Sequence, residues 1–216
     1  MSRSRFITLE GGEGAGKSTQ IKLLAQAFAR SNLKAIATRE PGGSVGGEAI
    51  RGLVVSGTAD KWDPTTEALL FMAARYDHLA TVIEPALHRG EWVLCDRFYD
   101  STYIYQGIAK NVGTNWLDQL YRQLFANTAP DLTLLLDLPP SIGLARADKR
   151  GNVAESRFEQ LTIDFHETLR GGFLQLAKQY PARITTIDAT ADSVTVHHAI
   201  IAAVNVRFGL ALEAAA

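Results

Sequence analysis

The feature that most constrains this chain is a glycine-rich run between an apolar segment and a helical one. Residues 11–18 read Gly-Gly-Glu-Gly-Ala-Gly-Lys-Ser, which fits the pattern G-x-x-x-x-G-K-[ST]. Phe6-Ile7-Thr8-Leu9 precedes the run as a short apolar strand, and apolar residues at helical spacing follow it. In this setting successive backbone N–H groups point at a phosphate chain, and the helix N-terminus adds its positive dipole end. The pattern predicts a nucleoside triphosphate site, with Lys17 on the β- and γ-phosphates and the Ser18 hydroxyl on Mg²⁺.

The composition limits the class of protein to which this loop can belong. The 216 residues are 46% hydrophobic and 21% charged, which favours one α/β domain spanning 1–216. The formal net charge of −1 gives no global field that would attract nucleic acid. Cys95 is the only cysteine, which excludes an internal disulfide and fits a reducing cytoplasm. No apolar run approaches the ~20 residues of a membrane span, and the first strand begins too early for a cleaved signal.

Strands and helices are predicted to alternate along the whole chain. Near-continuous apolar runs predict buried strands at 6–9, 34–38, 92–95, 132–136 and 183–187. Helical patterns lie near 17–31, 64–88, 115–127, 140–149, 158–180 and 192–208, with a shorter one at 46–56. Pro64, Pro139 and Asp192 are helix-start signals. This alternation predicts a parallel, doubly wound sheet whose ligands gather at the carboxyl ends of the strands.

Charged residues follow most of these predicted strands. Arg39-Glu40, Asp96-Arg97, Asp137 and Asp188 each stand directly after an apolar run. Any one of them can be simply solvated, but together around one loop they favour a site. Arginine clasps phosphate with a planar fork, so Arg97 is predicted to hold a second phosphate facing the triphosphate. Asp96 then orients that arginine or holds water around Mg²⁺; an ion pair that closes the strand is the alternative.

Two further clusters have a functional and a structural interpretation. Phe71 and Arg75 share a helix face. In the functional interpretation, Phe71 stacks on a flat base and Arg75 donates hydrogen bonds to its carbonyls. In the structural interpretation, Phe71 is a core residue and Arg75 is solvated. Cations at Arg146, Lys149, Arg150 and Arg157 flank a segment with little core signal. They form either a solvated face or a mobile lid, about 146–158, that delivers arginines to the transition state. Beside a phosphate loop the lid is favoured.

The chain resembles the bacterial type of thymidylate kinase, within the P-loop nucleoside monophosphate kinases. The resemblance covers nearly the whole chain, from about Arg5 to the helix after Asp188. The motifs that carry it are Leu9-Glu10-Gly11-Gly12-Glu13-Gly14-Ala15-Gly16-Lys17-Ser18, Thr38-Arg39-Glu40-Pro41-Gly42-Gly43, Phe71-Met72-Ala73-Ala74-Arg75, Asp96-Arg97-Phe98, Ser101-Thr102, Tyr105-Gln106-Gly107, Ser156-Arg157-Phe158-Glu159 and Ile187-Asp188-Ala189-Thr190. It implies a three-layer sandwich, in which a five-stranded parallel sheet is flanked by helices and an Arg-rich lid moves. It also implies a cytoplasmic homodimer that transfers phosphate from Mg–ATP to dTMP.

The resemblance further implies roles for individual residues. Phe71 stacks on thymine, Arg75 donates to its O4 atom, and Tyr105 packs under the deoxyribose. Lys17, Arg97, Glu13 and the lid arginines Arg150 and Arg157 are implied to be catalytic, and Ser18 and Asp96, the latter through water, to hold the metal. The implied ATP-binding residues are Gly11, Gly12, Glu13, Gly14, Ala15, Gly16, Lys17, Ser18, Thr19, Arg146, Arg150 and Ala189. The implied dTMP-binding residues are Glu13, Arg39, Arg51, Phe71, Arg75, Arg97, Ser101, Thr102, Tyr105 and Gln106.

The chain departs from the family pattern before Arg157, where Ser156 replaces an expected acidic residue, and at Tyr103, which is larger than usual near the base. Two other functions stay open on the sequence. One is a kinase for another acceptor, such as dUMP or AMP. The other is a nucleotide-dependent switch, which has no need for an acceptor cluster at Arg97, Phe71 and Arg75.

Overall fold

A five-stranded parallel sheet forms the centre of the protein, as predicted. The structure, a computed structural model, describes residues 5–125, 128–149 and 157–214. The strands are β1 (Phe6–Glu10), β2 (Ala35–Arg39), β3 (Trp92–Asp96), β4 (Leu132–Asp137) and β5 (Ile184–Asp188), in the order β2-β3-β1-β4-β5. Because the order reverses at β1, the crevice beyond its carboxyl end is where such a sheet binds ligands. The phosphate loop follows β1 directly.

Helices cover both faces of the sheet. They are α1 (Lys17–Arg30), α2 (Val45–Val54), α3 (Pro64–His78), α4 (Glu84–His88), α5 (Tyr99–Thr102), α6 (Thr114–Phe125), α7 (Pro140–Asp148), α8 (Ile163–Gln179) and α9 (Ser193–Phe208). Two π-helical stretches, Leu79–Ile83 and Tyr103–Ala109, join α3 to α4 and extend α5. None of the helices in the described parts of the chain is long and apolar enough to cross a membrane.

The strand side chains alternate between two apolar layers, because successive residues of a strand point to opposite faces. On one face Leu94 and Leu134 belong to the cluster that includes Phe28 of α1 and Ile200 of α9. On the other face Val93 and Cys95 pack with residues of α3 and α6, and Leu135 packs with residues of α8. The near-continuous apolar runs of the sequence are therefore explained by a sheet that is covered on both sides.

Two helix predictions differ from the structure. The sequence predicts a helix from residue 158, but α8 begins at Ile163, where the Thr162 hydroxyl accepts a hydrogen bond from Phe165 N. The helical segment from Tyr99 to Ala109 was not predicted at all. The run from Thr102 to Tyr105 is aromatic and β-branched, which favours strands, and Gly107 weakens a helical pattern. Burial of Ile104 and Tyr105 under α8 overrides those propensities.

Two glycines allow the phosphate loop to pack directly on α7. A Cβ atom on Gly14 would collide with the Gly143 carbonyl oxygen, and a Cβ atom on Gly143 would collide with the Glu13 carbonyl oxygen. Gly14 also has a φ of +68°, in the left-handed region that glycine adopts most easily. The position of the loop over the sheet therefore depends on backbone-to-backbone contact with α7.

We predict that Gly143→Ala lowers the free energy of unfolding by about 1–3 kcal/mol, because the new methyl group meets backbone that cannot rotate away. Gly171→Ala is the matched control: Gly171 is exposed in α8 and its Cβ would meet nothing within 4 Å. That variant is expected to gain about 0.5–1 kcal/mol from helix propensity. Thermal and urea unfolding measure both, and a Gly143→Ala protein as stable as Gly171→Ala would contradict this account of the loop.

Candidate active site

A cavity of about 660 Å³ opens beyond the carboxyl ends of β1 and β3. It falls within the range of small-molecule sites. The phosphate loop forms one side, and α3, the turn after β3 and the stretch Tyr103–Ala109 form the other. The residues of the sequence prediction that line it are Glu13, Gly14, Ala15, Gly16, Lys17, Ser18, Thr19, Arg39, Arg51, Phe71, Arg75, Asp96, Arg97, Ser101, Thr102, Tyr105, Gln106 and Arg146. The phosphate loop with Lys17 and the predicted second phosphate-binding residue, Arg97, thus share one cavity.

Lys17 begins α1 and folds back over the phosphate loop. Its Nζ atom donates to the carbonyl oxygens of Gly11 (3.1 Å) and Gly12 (2.8 Å), so these two glycines support the lysine from behind the cavity. Gly16, with a φ of +89°, lets the chain turn from the loop into the helix. Burial and the nearby positive charge of Arg97 together lower the pKa of Lys17 to about 8. An anion bound in the loop would reverse this effect.

Ser18 and Asp96 meet at the edge of the same loop. The Ser18 hydroxyl donates to Asp96 Oδ2 at 2.6 Å, although the two residues come from α1 and β3. A hydroxyl and a carboxylate are the oxygen ligands that Mg²⁺ takes at phosphate sites, where it also keeps several waters. The donor set fits the predicted metal.

Arg97 turns back into the cavity from the residue after β3. Its φ is +69°, a left-handed conformation that costs a non-glycine residue about 1–2 kcal/mol and clusters at functional sites. The turn is held by a hydrogen bond from Arg97 N to the Leu9 carbonyl (2.9 Å). The guanidinium donates to Gly11 O and Ser101 Oγ, both at 3.0 Å, and to Glu13 Oε1 at 2.9 Å.

Glu13 holds Arg97 together with Tyr105, whose hydroxyl donates to the same carboxylate oxygen at 2.9 Å. Burial alone would raise the pKa of Glu13, but the charges of Arg97 and Lys17 lower it to about 2. The carboxylate therefore stays ionised at neutral pH. It holds the partly buried Arg97 guanidinium in place.

Glu10 is a site residue that the sequence analysis did not single out. This buried carboxylate at the end of β1 accepts from Phe98 N (2.8 Å) and from the Ser101 hydroxyl (2.6 Å), so it fixes the turn that carries Arg97. Burial and the neighbouring Asp100 raise the pKa of Glu10 to about 7. The sequence feature that could have identified Glu10 as a site residue is its place inside the Leu9-Glu10-Gly11 motif.

Arg75 is held in the opposite wall by a chain of buried polar groups. Its Nε atom donates to Glu40 Oε2 at 2.7 Å, and Nη1 donates to Thr102 Oγ1 at 3.0 Å. Glu40 in turn meets His78 Nδ1 at 3.1 Å, and His78 Nε2 meets Thr38 Oγ1 at 2.7 Å. Arg75 is only 2% exposed, so the solvated alternative does not hold. Its second terminal nitrogen, Nη2, donates to no residue that the structure describes.

Aromatic rings surround the space next to Arg75. Phe158 lies 6.1 Å from Phe71 and 5.6 Å from Tyr105, between ring centroids. All three rings line the cavity. Rings at these distances make a compartment suited to a flat, partly apolar group such as a base.

Three more predicted cations lie at the margin of the cavity. Arg39 pairs with Glu48 at 3.1 Å, and Arg51 donates to the Pro41 carbonyl at 2.7 Å. Arg146 donates to the carbonyl oxygens of Ala189 (2.9 Å) and Thr190 (3.0 Å), which joins α7 to the end of β5. Ala189 itself is buried and does not line the cavity; its N–H donates to the Asp137 carbonyl at 2.9 Å.

Arg157, which the sequence analysis expects over the transferring phosphate, does not line the cavity. The side chain is 1% exposed, and its Nη1 atom forms an ion pair with Glu67. Other N–H groups donate to the backbone carbonyls of Val54, Thr58 and Ala59 at 2.9–3.0 Å. The sequence could not show that a buried carboxylate on α3 requires this cation. Arg150 lies outside the described residues.

Comparison with known proteins finds one family over nearly the whole chain. The family model described as thymidylate kinase matches residues 9–200. Similar proteins include a thymidylate kinase of Rhodopseudomonas palustris, 53% identical over 95% of this chain and 90% of the relative. A thymidylate kinase of Caulobacter vibrioides is 50% identical over 97% of this chain and all of its own. The crystal structure of a thymidylate kinase from Ehrlichia chaffeensis matches with a TM-score of 0.75 and 31% identity, over 93% of this chain and 98% of that one.

These matches span nearly the whole chain, at about 50% identity for the two relatives and 31% for the solved structure, which shares the parallel sheet that carries the site. We conclude that this chain belongs to the thymidylate kinase family of nucleoside monophosphate kinases.

Proposed function

We propose that the cavity transfers the γ-phosphoryl group of ATP to the phosphate of dTMP, giving ADP and dTDP. The observation that carries this assignment is the position of Arg97, which faces the phosphate loop across one cavity beside the aromatic compartment. A nucleotide switch needs only the loop. A phosphoryl acceptor needs a second cation and a base compartment, and both are present here.

The proposed reaction requires the protein to orient the two substrates and to supply positive charge. The acceptor phosphate has a second pKa near 6, so its attacking oxygen is mostly ionised and no general base is needed. The obstacle is repulsion between two polyanions: one like-charge pair ~4 Å apart costs about 4 kcal/mol at an effective dielectric constant of 20. Lys17 on the donor side and Arg97 on the acceptor side offset that repulsion. Catalysis is then orientation plus electrostatic stabilisation.

On the acceptor side, we propose that dTMP takes Arg97 over from its internal partners. The guanidinium now binds Gly11 O, Ser101 Oγ and Glu13. A bound phosphate would replace these groups as the partner of the guanidinium. Arg39 and Arg51 would add positive charge at the rim of the cavity. Phe71 stacks on thymine, Arg75 donates to O4, Thr102 and Gln106 line the base edge, and Tyr105 lies under the sugar.

On the donor side, we propose that Gly11 to Thr19 wrap the triphosphate and that Ser18 and Asp96, the latter through water, hold Mg²⁺. That ion supplies positive charge to the β- and γ-phosphates when it is bound. Arg146 lines the cavity, and we propose that it binds the donor phosphates. We propose the same role for Arg150 of the lid, which lies outside the described residues. Arg157 contributes indirectly, because it anchors the segment that carries Phe158.

The wider setting follows from the family. We infer that the chain is a single catalytic domain over 1–216, that it acts on nucleotides in the cytoplasm, and that two copies form a homodimer. A lone buried cysteine, Cys95, is consistent with that reducing compartment.

Arg97→Ala is expected to raise the KM for dTMP about 10- to 100-fold and to lower kcat, because charge-assisted hydrogen bonds to the acceptor are lost. ATP affinity should stay within about threefold. Steady-state kinetics with each substrate varied in turn, and titration calorimetry with ATP, measure these quantities. Arg89→Ala is the matched control, since Arg89 pairs with Glu91 at the surface and does not line the cavity. Equal losses for both ligands would contradict the acceptor assignment.

ATP binding near pH 8 is expected to take up protons, because the bound polyphosphate restores the charge that Lys17 partly loses at its pKa of about 8. At pH 8 about half a proton should enter per site. Calorimetric titration in buffers of different ionisation enthalpy measures the uptake. Lys17→Arg is the control, since arginine is always charged and cannot take up a proton. A wild-type enthalpy that does not depend on the buffer would show that Lys17 is already fully charged.

A further inference from the structure

Glu67 is a fully buried carboxylate that the proposed mechanism does not use. It lies on α3 one turn before Phe71 and is 0% exposed. It does not line the cavity itself, but three side chains from two separate parts of the chain hold it. A buried charge of this kind is costly unless every contact is satisfied, so its contacts indicate what it positions.

The carboxylate meets two cations and one amide. Lys110 Nζ lies 2.8 Å from Oε1, and Arg157 Nη1 pairs with Oε2. Gln106 Nε2 donates to Oε1 at 2.9 Å. A carboxylate held by two cations only accepts hydrogen bonds, so Gln106 must present its NH₂ group to Glu67.

This contact decides which end of the Gln106 amide faces the cavity. Gln106 lines the cavity, and its carbonyl oxygen accepts no hydrogen bond from any residue that the structure describes. Arg75 lines the same cavity with the free Nη2 donor described above. The compartment therefore offers a donor from Arg75 and an acceptor from Gln106.

We propose that Glu67 is the positioning residue that sets base selectivity, by fixing the Gln106 carbonyl toward the cavity. A base with a carbonyl next to a ring N–H, as in thymine and uracil, satisfies both groups. Cytosine carries an amino group and an unprotonated ring nitrogen at that edge, so it places donor against donor and acceptor against acceptor. A site built to pair one pattern rejects the reverse, because its own polar groups are left unpaired. The inference rests on the proposed dTMP reaction and adds the residue that determines its selectivity.

Glu67→Gln tests this orientation with almost no change in shape. The single carbonyl oxygen of the new side chain would be taken by Arg157 and Lys110, since hydrogen bonds from cations are the stronger ones. Its NH₂ group would then face Gln106 and turn that amide over. The cavity would lose its acceptor and gain a donor.

The experiment measures kcat/KM for dTMP, dUMP and dCMP at saturating ATP in wild type, Glu67→Gln, Gln106→Met, the double variant and Lys110→Met. In Glu67→Gln the dTMP-to-dCMP ratio should fall at least about tenfold. In the Gln106→Met background, which has no amide to turn, the same change should leave the ratio unaltered. Lys110→Met removes another partner of Glu67 but not its contact with Gln106, so its ratio should match wild type.

The opposite results overturn the inference. Losses shared equally by dTMP and dCMP in Glu67→Gln, or additive effects in the double variant, would assign Glu67 to stability alone. Should Glu67→Gln fail to fold, Gln106→Met decides: it should lose dTMP activity at least about tenfold more than dCMP activity, and equal losses contradict the proposal. A wild-type protein that releases ADP with none of these acceptors would contradict the proposed function, and this inference with it.

Discussion

The ion pair between Arg97 and Glu13 is the interaction on which the site depends. It joins the turn after β3 to the phosphate loop after β1, at 2.9 Å, across the point where the strand order reverses. A cation that will meet a polyanion must be held in a partly buried cavity before that ligand arrives, and an ionised carboxylate does this. Glu13 has a pKa of about 2, so the partner is charged throughout the physiological range. The loop and the acceptor side are thereby built as one unit.

The same arrangement recurs around the cavity, where buried acids position the groups that face the ligands. Glu40 holds Arg75, Glu67 holds Gln106, and Glu10 holds the Ser101 turn beside Arg97. Glu10 and Glu67 lie behind the groups they position, outside the cavity lining, whereas Glu40 lines the cavity beside Arg75. Preorganised donors of this kind stabilise charge without moving during the reaction, which is how electrostatic catalysis operates in proteins. Arg157 belongs to this supporting set through Glu67.

The sequence predicted the sheet, the phosphate loop and most cavity residues, because those features are local. A strand has a continuous apolar run, the loop has fixed glycine spacing, and residues at strand ends converge in any parallel sheet. The segment Tyr99–Ala109 and the burial of Arg157 escaped prediction, because both depend on contacts across the chain. The helical segment is stabilised by packing against α8. Arg157 is buried because it pairs with the carboxylate of Glu67, ninety residues earlier in the chain. Glu67 was missed because nothing in its local pattern indicates burial, and Glu10 was missed although it stands directly after a predicted buried strand, inside the loop motif.

The most direct test of the account is ADP release with ATP and Mg²⁺, measured in parallel with dTMP, thymidine, dUMP, AMP, GMP and CMP as acceptors. We expect strong turnover with dTMP, and none with thymidine, which carries the same base but no phosphate for Arg97 to hold. Turnover with thymidine as fast as with dTMP, or a preference for AMP, would contradict the claim that Arg97 and the aromatic compartment together define the acceptor.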